Sequence, residues 1–434
     1  MKRSFLHWLS SVAIFLSGTI LMQLYSCQSE TKWLNHSKTA TYTGKESCQS
    51  CHEEIYQSYL QTGMGKSFYR PDSANTIETF GQVVCDSYSG FCYTAFWENQ
   101  QLKIKEFRVN GKDTIYQRTE VIDFVVGSGN QTRSYLLFRN GYLLEAPITW
   151  YSRKKTWDLS PGYHDGNNTR FKRGIGEECM TCHNAYSGFV EGSTHFYRSI
   201  PLGIDCERCH GPGSVHIEAM KNGKEVDVGK ETDYTIVNPA RLPVDLQFDV
   251  CQQCHLQGLP VPKPDKKVTD FKPGMKLNSV FDVFLEKRTS DDAFGIASHA
   301  ERLQKSACFL ASQKNQKPLS CTTCHDPHHS FKLQKTQHYN EQCGSCHKPA
   351  SCSALPASRT AKQDNCVGCH MPNGEVSDIP HVSFTDHWIR KPKTSSNAAP
   401  SVQAQKKAIE LICMTGTADS HTEGMAYLQY FERK

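Results

Sequence analysis

Cys206-Glu207-Arg208-Cys209-His210, turned aside at once by Gly211-Pro212-Gly213, is the stretch that decides how this chain is read. The same Cys-x-x-Cys-His pattern recurs at Cys48, Cys51 and His52, at Cys179, Cys182 and His183, at Cys251, Cys254 and His255, at Cys321, Cys324 and His325, at Cys343, Cys346 and His347, and at Cys366, Cys369 and His370. That makes seven copies, numbered here from first to seventh along the chain, with Cys206–His210 the third. Random placement of the same cysteines and histidines would produce about 0.04 copies. The repetition is therefore part of how the chain works.

The spacing has a mechanical meaning. Two cysteines three apart reach the two vinyl groups of one haem as thioethers, and the histidine that follows lies under the iron as its proximal ligand. Zinc sites pair one Cys-x-x-Cys with a second, or with more distant histidines, and do not need a histidine directly after every pair. Redox-active Cys-x-x-Cys motifs occur singly, in a strand-helix setting. The expectation is seven covalently attached haem c groups, held by the fourteen motif cysteines and the seven motif histidines. The fold class that follows is a multihaem cytochrome c, mostly irregular with short α-helices around the haems.

Working outward, Lys2 and Arg3 precede an apolar run from about Phe5 to Leu24, which ends in Tyr25-Ser26-Cys27. Residues 1–26 read as a lipoprotein-type signal with Cys27 as the lipidated mature terminus; an ordinary cleaved signal or an uncleaved spanning helix are the alternatives. All three export the rest of the chain, placing it in the periplasm or on the surface of a bacterium, with a lipid anchor or the signal segment as its link to the membrane. A mean hydropathy of −0.55 excludes a multispanning protein. The net charge of +5, without long single-sign runs, gives no nucleic-acid groove. Of the cysteines outside the motifs, Cys85 and Cys92 read equally as a small disulfide loop or as two buried thiols, while Cys308, Cys352 and Cys413 have no assigned role.

Each haem iron has a second axial position, and whether it is filled separates an electron carrier from a catalyst. Nine histidines outside the motifs are available for it: His164, His195, His216, His299, His328, His329, His338, His381 and His387. His216 and His328 follow their own motifs too closely to wrap round the same porphyrin, so each is expected to serve a neighbouring haem. His299 opens a short apolar-patterned helix, and His381 and His387 bracket a short segment after the last motif. Met64, beyond a helix expected over residues 53–60, is a possible sulfur ligand.

From His52 to Cys179 no motif occurs. Short apolar and polar runs there, broken by Asn110-Gly111 and Asn140-Gly141, read as strands and hairpins of an inserted antiparallel β-module. The organisation read from the sequence is a first haem segment over 27–75, the β-rich module over 76–165, a haem-dense domain with six motifs over 166–390, a linker over 391–401, and a C-terminal helical hairpin over 402–434. One hairpin cannot make a solenoid.

Several segments carry a family resemblance: Gly44-Lys-Glu-Ser-Cys-Gln-Ser-Cys-His-Glu-Glu-Ile-Tyr with Thr62-Gly-Met-Gly-Lys-Ser, Val126-Gly-Ser-Gly-Asn, Trp157-Asp-Leu-Ser-Pro-Gly-Tyr, Gly203-Ile-Asp-Cys-Glu-Arg-Cys-His-Gly-Pro-Gly, Cys324-His-Asp-Pro-His and Asp378-Ile-Pro-His-Val-Ser-Phe-Thr-Asp-His. Over about residues 44 to 390 the chain resembles multihaem c-type cytochromes related to the tetrahaem electron carriers of hydroxylamine oxidation, and especially a bacterial subgroup that continues into tetratricopeptide repeats. The resemblance implies ligand roles for His216, His299, His328, His381 and His387, and puts Met64 where a ligating histidine commonly stands. The short C-terminus departs from the subgroup's repeat array. The expected function is electron transfer between periplasmic or membrane-bound redox proteins of the cell envelope. The alternative is a reductase or oxidase of a small nitrogen or sulfur species at one haem with an open distal face, although no Cys-x-x-Cys-Lys motif is present.

Overall fold

The computed structural model describes residues 33–288, 290, 292–314, 318–392 and 408–433. The signal segment with Cys27, residues 393–401 of the linker and residues 402–407 of the expected hairpin lie outside the described residues. The rest is a mixed fold of short helices and antiparallel sheets.

The strands concentrate where alternation is clearest. After Phe68–Tyr69 (β1), the segments Val84–Cys85 (β2), Cys92–Glu98 (β3), Gln101–Asn110 (β4) and Asp113–Val121 (β5) form an antiparallel sheet in chain order. Phe124–Val126 (β6), Thr132–Arg139 (β7), Tyr142–Glu145 (β8), Ile148–Tyr151 (β9), Thr156–Leu159 (β10) and Arg173–Gly174 (β11) build a second sheet with β1, in the order β1-β6-β7-β8-β11, with β9 joining β7 to β10. Asn140 and Gly141, at φ 52° and 88°, close the β7–β8 hairpin, a pairing of left-handed residues that matches strand twist. Inward residues of the two sheets, among them Tyr93, Ile104, Tyr135, Trp150 and Trp157, share one apolar core. Glu106 also points inward and is fully buried, and Arg170 satisfies it through a bidentate pair that includes an Nε–Oε2 bond of 2.8 Å. Cys85 and Cys92 face each other across β2 and β3 and form a disulfide, which settles the two readings left open for that pair.

Outside these sheets the motifs sit on short helical turns: Glu46–Gln49 with Glu53–Tyr59, Glu177–His183, Glu207–His210, Val244–His255, the 3-10 turn Cys321–Thr323, Thr336–Gly344 and Cys366–His370. Apolar clusters in this part are small. Two minor sheets complete it, one of Leu259–Pro262 (β12), Phe281–Glu286 (β13) and Leu411–Cys413 (β16), the other of Asn373–Glu375 (β14) and Ser383–Thr385 (β15).

Leu259-Pro-Val-Pro forms β12, an edge strand despite its two prolines. Leu259 and Val261 pack inward while Pro260 and Pro262 occupy the alternate positions, tolerated because an edge strand has one unpaired side. The C-terminal segment is not a helical hairpin: Leu411–Cys413 pairs with β13, burying Leu411 with Phe284 and Ala426. A short apolar run next to an open strand edge gains a ladder that an isolated short helix would lack. The helix that follows, Ser420–Glu432, is capped by Asp419, whose carboxylate accepts from the Thr422 N–H at 2.9 Å. Among the described residues no helix is long and apolar enough to cross a membrane.

Candidate metal and cofactor centre

The motifs pack against one another, and not in sequence order. The first lies against the third: Cys48 and Cys206 bring their sulfurs into contact, Tyr59 donates to the Ile204 carbonyl at 3.0 Å, and the Glu207 carboxylate accepts from the Thr43 and Gly44 N–H groups at 2.9 and 2.8 Å. The second lies against the fourth, where Cys182 and Cys254 meet, each sulfur also 3.9 Å from a carbonyl of the other motif. Gln253 donates to the Arg208 carbonyl at 3.0 Å and so ties the fourth motif to the third. Cys251 meets Cys321 between the fourth and fifth. Asn340, one turn before Cys343, accepts from the Cys366 N–H at 3.1 Å and donates to the Asp364 carbonyl at 3.0 Å, joining the sixth and seventh.

Several histidines present an Nε2 free to bind a metal. When the Nδ1–H donates to a carbonyl, Nε2 is left with a free lone pair. His210 has this arrangement with Val237 O at 2.8 Å, His370 with Arg390 O at 2.9 Å and His387 with Thr385 O at 3.0 Å. His216 reaches the same state through Thr235 Oγ1 at 2.9 Å, with Asp233 behind it. Burial lowers the pKa of His183, His255, His299 and His325, and pulls His210 and His387 down to about 4, keeping the rings neutral as metal binding requires. His183 and His255 are themselves exposed to solvent at the ends of their motif helices.

Ring geometry identifies which side chains face each other. Two imidazoles binding one metal from opposite sides, each about 2 Å from it, have ring centres about 6 Å apart. His210 and His328 stand 6.0 Å apart with planes 16° from parallel, and His325 and His387 stand 6.2 Å apart at 33°. His299 lies between His255 and His387, at 4.9 Å from each. His52 and His216 both lie close to His210. The donor set, its neutral rings and the paired sulfurs fit haem groups bound at the motifs.

Other expected ligands are placed elsewhere. His381, at φ 60°, binds Asp158 on the β-module through Nε2 at 2.7 Å. His164 shares that aspartate, His329 holds Asp326, His195 contacts Thr194 and Tyr142, and His338 donates to the Cys324 carbonyl at 3.3 Å. Met64 lies in the loop that crosses Gly203, its carbonyl accepting from Ser67 N–H at 3.1 Å. Among the described residues no imidazole faces His52, His183, His347 or His370 at the axial spacing.

Sequence reasoning missed the groups that orient these ligands. Arg302 and Asp386 form a buried bidentate pair, Nε–Oδ1 2.8 Å and Nη2–Oδ2 2.5 Å, immediately before His387. An arginine and an aspartate 84 positions apart leave no local signal, and neither do the carbonyls of Val237, Thr385 and Arg390.

A family model described as cytochrome c554 and c-prime matches residues 152–211, which contain the second and third motifs. The multiheme cytochrome MtrA of Shewanella baltica is 27% identical over 223 residues, 49% of this chain, and the chain spans 57% of that relative's length. Among solved structures, the outer cell wall cytochrome OcwA aligns with a TM-score of 0.49 at 16% identity, over 80% of this chain and 79% of that one. An undecaheme cytochrome from the S-layer of Carboxydothermus ferrireducens aligns at 0.39 and 18% identity, over 81% of this chain and 52% of that one.

Proposed function

Taking as premise that the chain is related to the multihaem c-type cytochromes and uses haem c, we propose that it is an exported heptahaem cytochrome carrying electrons between redox proteins of the bacterial cell envelope, tethered through Cys27. Haem c supplies a one-electron couple whose potential the protein sets through axial ligand, burial and hydrogen bonding. The fourteen motif cysteines hold the seven groups, and His52, His183, His210, His255, His325, His347 and His370 are the proximal ligands. The segments quoted above support a closer kinship with the tetrahaem carriers of hydroxylamine oxidation and with the subgroup that continues into tetratricopeptide repeats.

The observation that carries this reading is the packing of motif against motif in two runs, from the first through the third and fourth to the fifth, and from the sixth to the seventh. A catalyst needs one reactive centre, whereas a series of adjoining ones suits transfer over distance. Ring spacing supports His328 as the second ligand at the third motif and His387 at the fifth. Proximity supports His299 at the fourth, and His216, which lies close to His210 as His52 does, is proposed for the first. His381, engaged with Asp158, and Met64 remain proposals for the other centres.

Among the described residues the first, second, sixth and seventh motif histidines have no imidazole at the axial spacing, which favours a second reading: a reductase or oxidase of a small nitrogen or sulfur species with its open face at one of them. Low-temperature EPR of the holoprotein separates the two. Seven low-spin centres unresponsive to cyanide and nitrite are the result expected of a carrier; a high-spin centre that binds nitrite or hydroxylamine establishes the enzyme instead.

A further inference from the structure

The third motif is the only one of the seven whose two intervening residues carry opposite charges, Glu207 and Arg208, and both are buried, at 2% and 3% exposure. Asp205, just before the motif, is buried at 6%. Three ionisable groups removed from water beside a redox cofactor are costly and call for a reason.

Their directions differ. Glu207 points toward the first motif: its carboxylate accepts from the N–H groups of Thr43, Gly44 and Gly213 at 2.8 to 2.9 Å, and it lies near Cys48 together with Asp205. Asp205 leaves Oδ1 without a hydrogen-bond partner. Arg208 points the other way, beside the sulfurs of Cys182 and Cys254, where the second and fourth motifs meet. Its Nη2 donates to the Thr181 carbonyl at 2.9 Å, its guanidinium lies 4.8 Å from the Tyr186 ring centre, and its Nε has no partner. Among the described residues Arg208 forms no ion pair within 4.0 Å. A guanidinium stays charged at any pH the fold survives, and weak screening in a dry interior lets such a charge act strongly on its neighbours.

Building on the electron-transfer reading, we propose that the third motif polarises the protein, with Glu207 and Asp205 holding the first centre at low reduction potential and Arg208 holding the second and fourth at high potential. Each centre takes up one electron from an external one-electron donor, with no bond made or broken. Uptake beside Arg208 partly cancels a buried positive charge, whereas uptake beside Glu207 adds to a buried negative one. A reducing equivalent therefore settles at the second and fourth motifs, and this one short helix gives the series its direction.

The test is spectroelectrochemical titration of the full-length holoprotein with one-electron mediators, alongside its Arg208→Gln, Arg208→Lys, Glu207→Gln and Asp205→Asn variants, each first shown by mass to carry seven haems. Arg208→Gln is expected to raise the oxidised-to-reduced ratio of the high-potential components about tenfold at fixed applied potential, a fall of 59 mV for a one-electron couple. Arg208→Lys restores most of it. Glu207→Gln is expected to lower that ratio for the low-potential component, and Asp205→Asn does the same if Glu207→Gln fails to mature. Shifts of equal sign, shifts on the same components, or unmoved potentials in proteins with all seven haems overturn the proposal while leaving the carrier reading intact. A wild-type protein lacking its haems defeats the carrier reading itself.

Discussion

Replacing Arg302 with methionine removes the cation from the most buried ion pair near a proposed ligand. Its side chain is 3% exposed and that of Asp386 2%, so the aspartate is left in a site built around a guanidinium. Burial raises the Asp386 carboxyl, but the Arg302 hydrogen bonds, the Trp388 N–H and the charges of Arg302 and Arg390 together outweigh it and hold it below the ordinary carboxylate range. Breaking one side of such a pair costs about 3–5 kcal/mol, against roughly 5–15 kcal/mol for a whole domain. Arg302 also covers the Phe294 and Trp388 rings at 5.0 and 5.1 Å, and methionine keeps most of that packing while losing the charge. The double variant Arg302→Met/Asp386→Leu, which removes both buried partners and leaves only the more exposed Arg390, 3.5 Å from Asp386 in the natural chain, is expected to cost less than the sum of the two single variants. Guanidinium denaturation of the holoproteins, followed by far-UV circular dichroism, measures all four corners of the cycle. Because Asp386 precedes His387, the single variant is also expected to change the absorption of one low-spin haem component. A cost below about 1 kcal/mol for Arg302→Met, or strictly additive effects, would refute the view that this pair holds the His387 segment in place.

Other expected outcomes concern separate parts of the chain. Reducing Cys85–Cys92, or replacing both cysteines with serine, opens a seven-residue separation and is expected to lower stability by about 2.5 kcal/mol in the chain-entropy description, seen as an earlier denaturation midpoint with an unchanged haem spectrum. Asp419→Ala should fray the helix Ser420–Glu432, read as faster amide hydrogen exchange there. Bonds from the Thr422 N–H and O–H and from Lys263 hold the Asp419 carboxyl well below its ordinary value, so its stabilisation is full above about pH 4 and fades as the pH falls, and the variant and the natural chain should converge in acid. Met64→Ala is expected to abolish a weak near-infrared methionine-to-iron band; an unchanged spectrum and potential would remove Met64 from the ligand set.

What the sequence discloses is the chemistry that is local in the chain. The proposed attachment sulfurs and proximal histidines are adjacent residues, so the motif presents them as one unit. Asn140-Gly141 likewise announces its hairpin, because two left-handed residues in a row are nearly a signature. The equivalent turn between β3 and β4 is made by Asn99 and Gln100, at φ 49° and 59°, and gives no such sign, since glutamine rarely adopts that conformation and does so here because the flanking strands require it. His328 and His387 were recognisable as ligand candidates, but their partners, His210 and His325, are fixed only when distant segments pack. His381 shows the opposite case: it looked equally suited by position, yet Asp158 on the β-module claims it. The pairing of the first motif with the third depends on Glu207 capturing the backbone of Thr43 and Gly44, a contact between residues more than 160 positions apart that no periodicity reveals.

Mass spectrometry of the intact protein, produced in a host that assembles c-type cytochromes, bears most directly on the heptahaem reading. A mass increased by seven haems, with all fourteen motif sulfurs consumed as thioethers, is the expected result. A bare chain mass, or motif cysteines bridged to one another as disulfides, would contradict it.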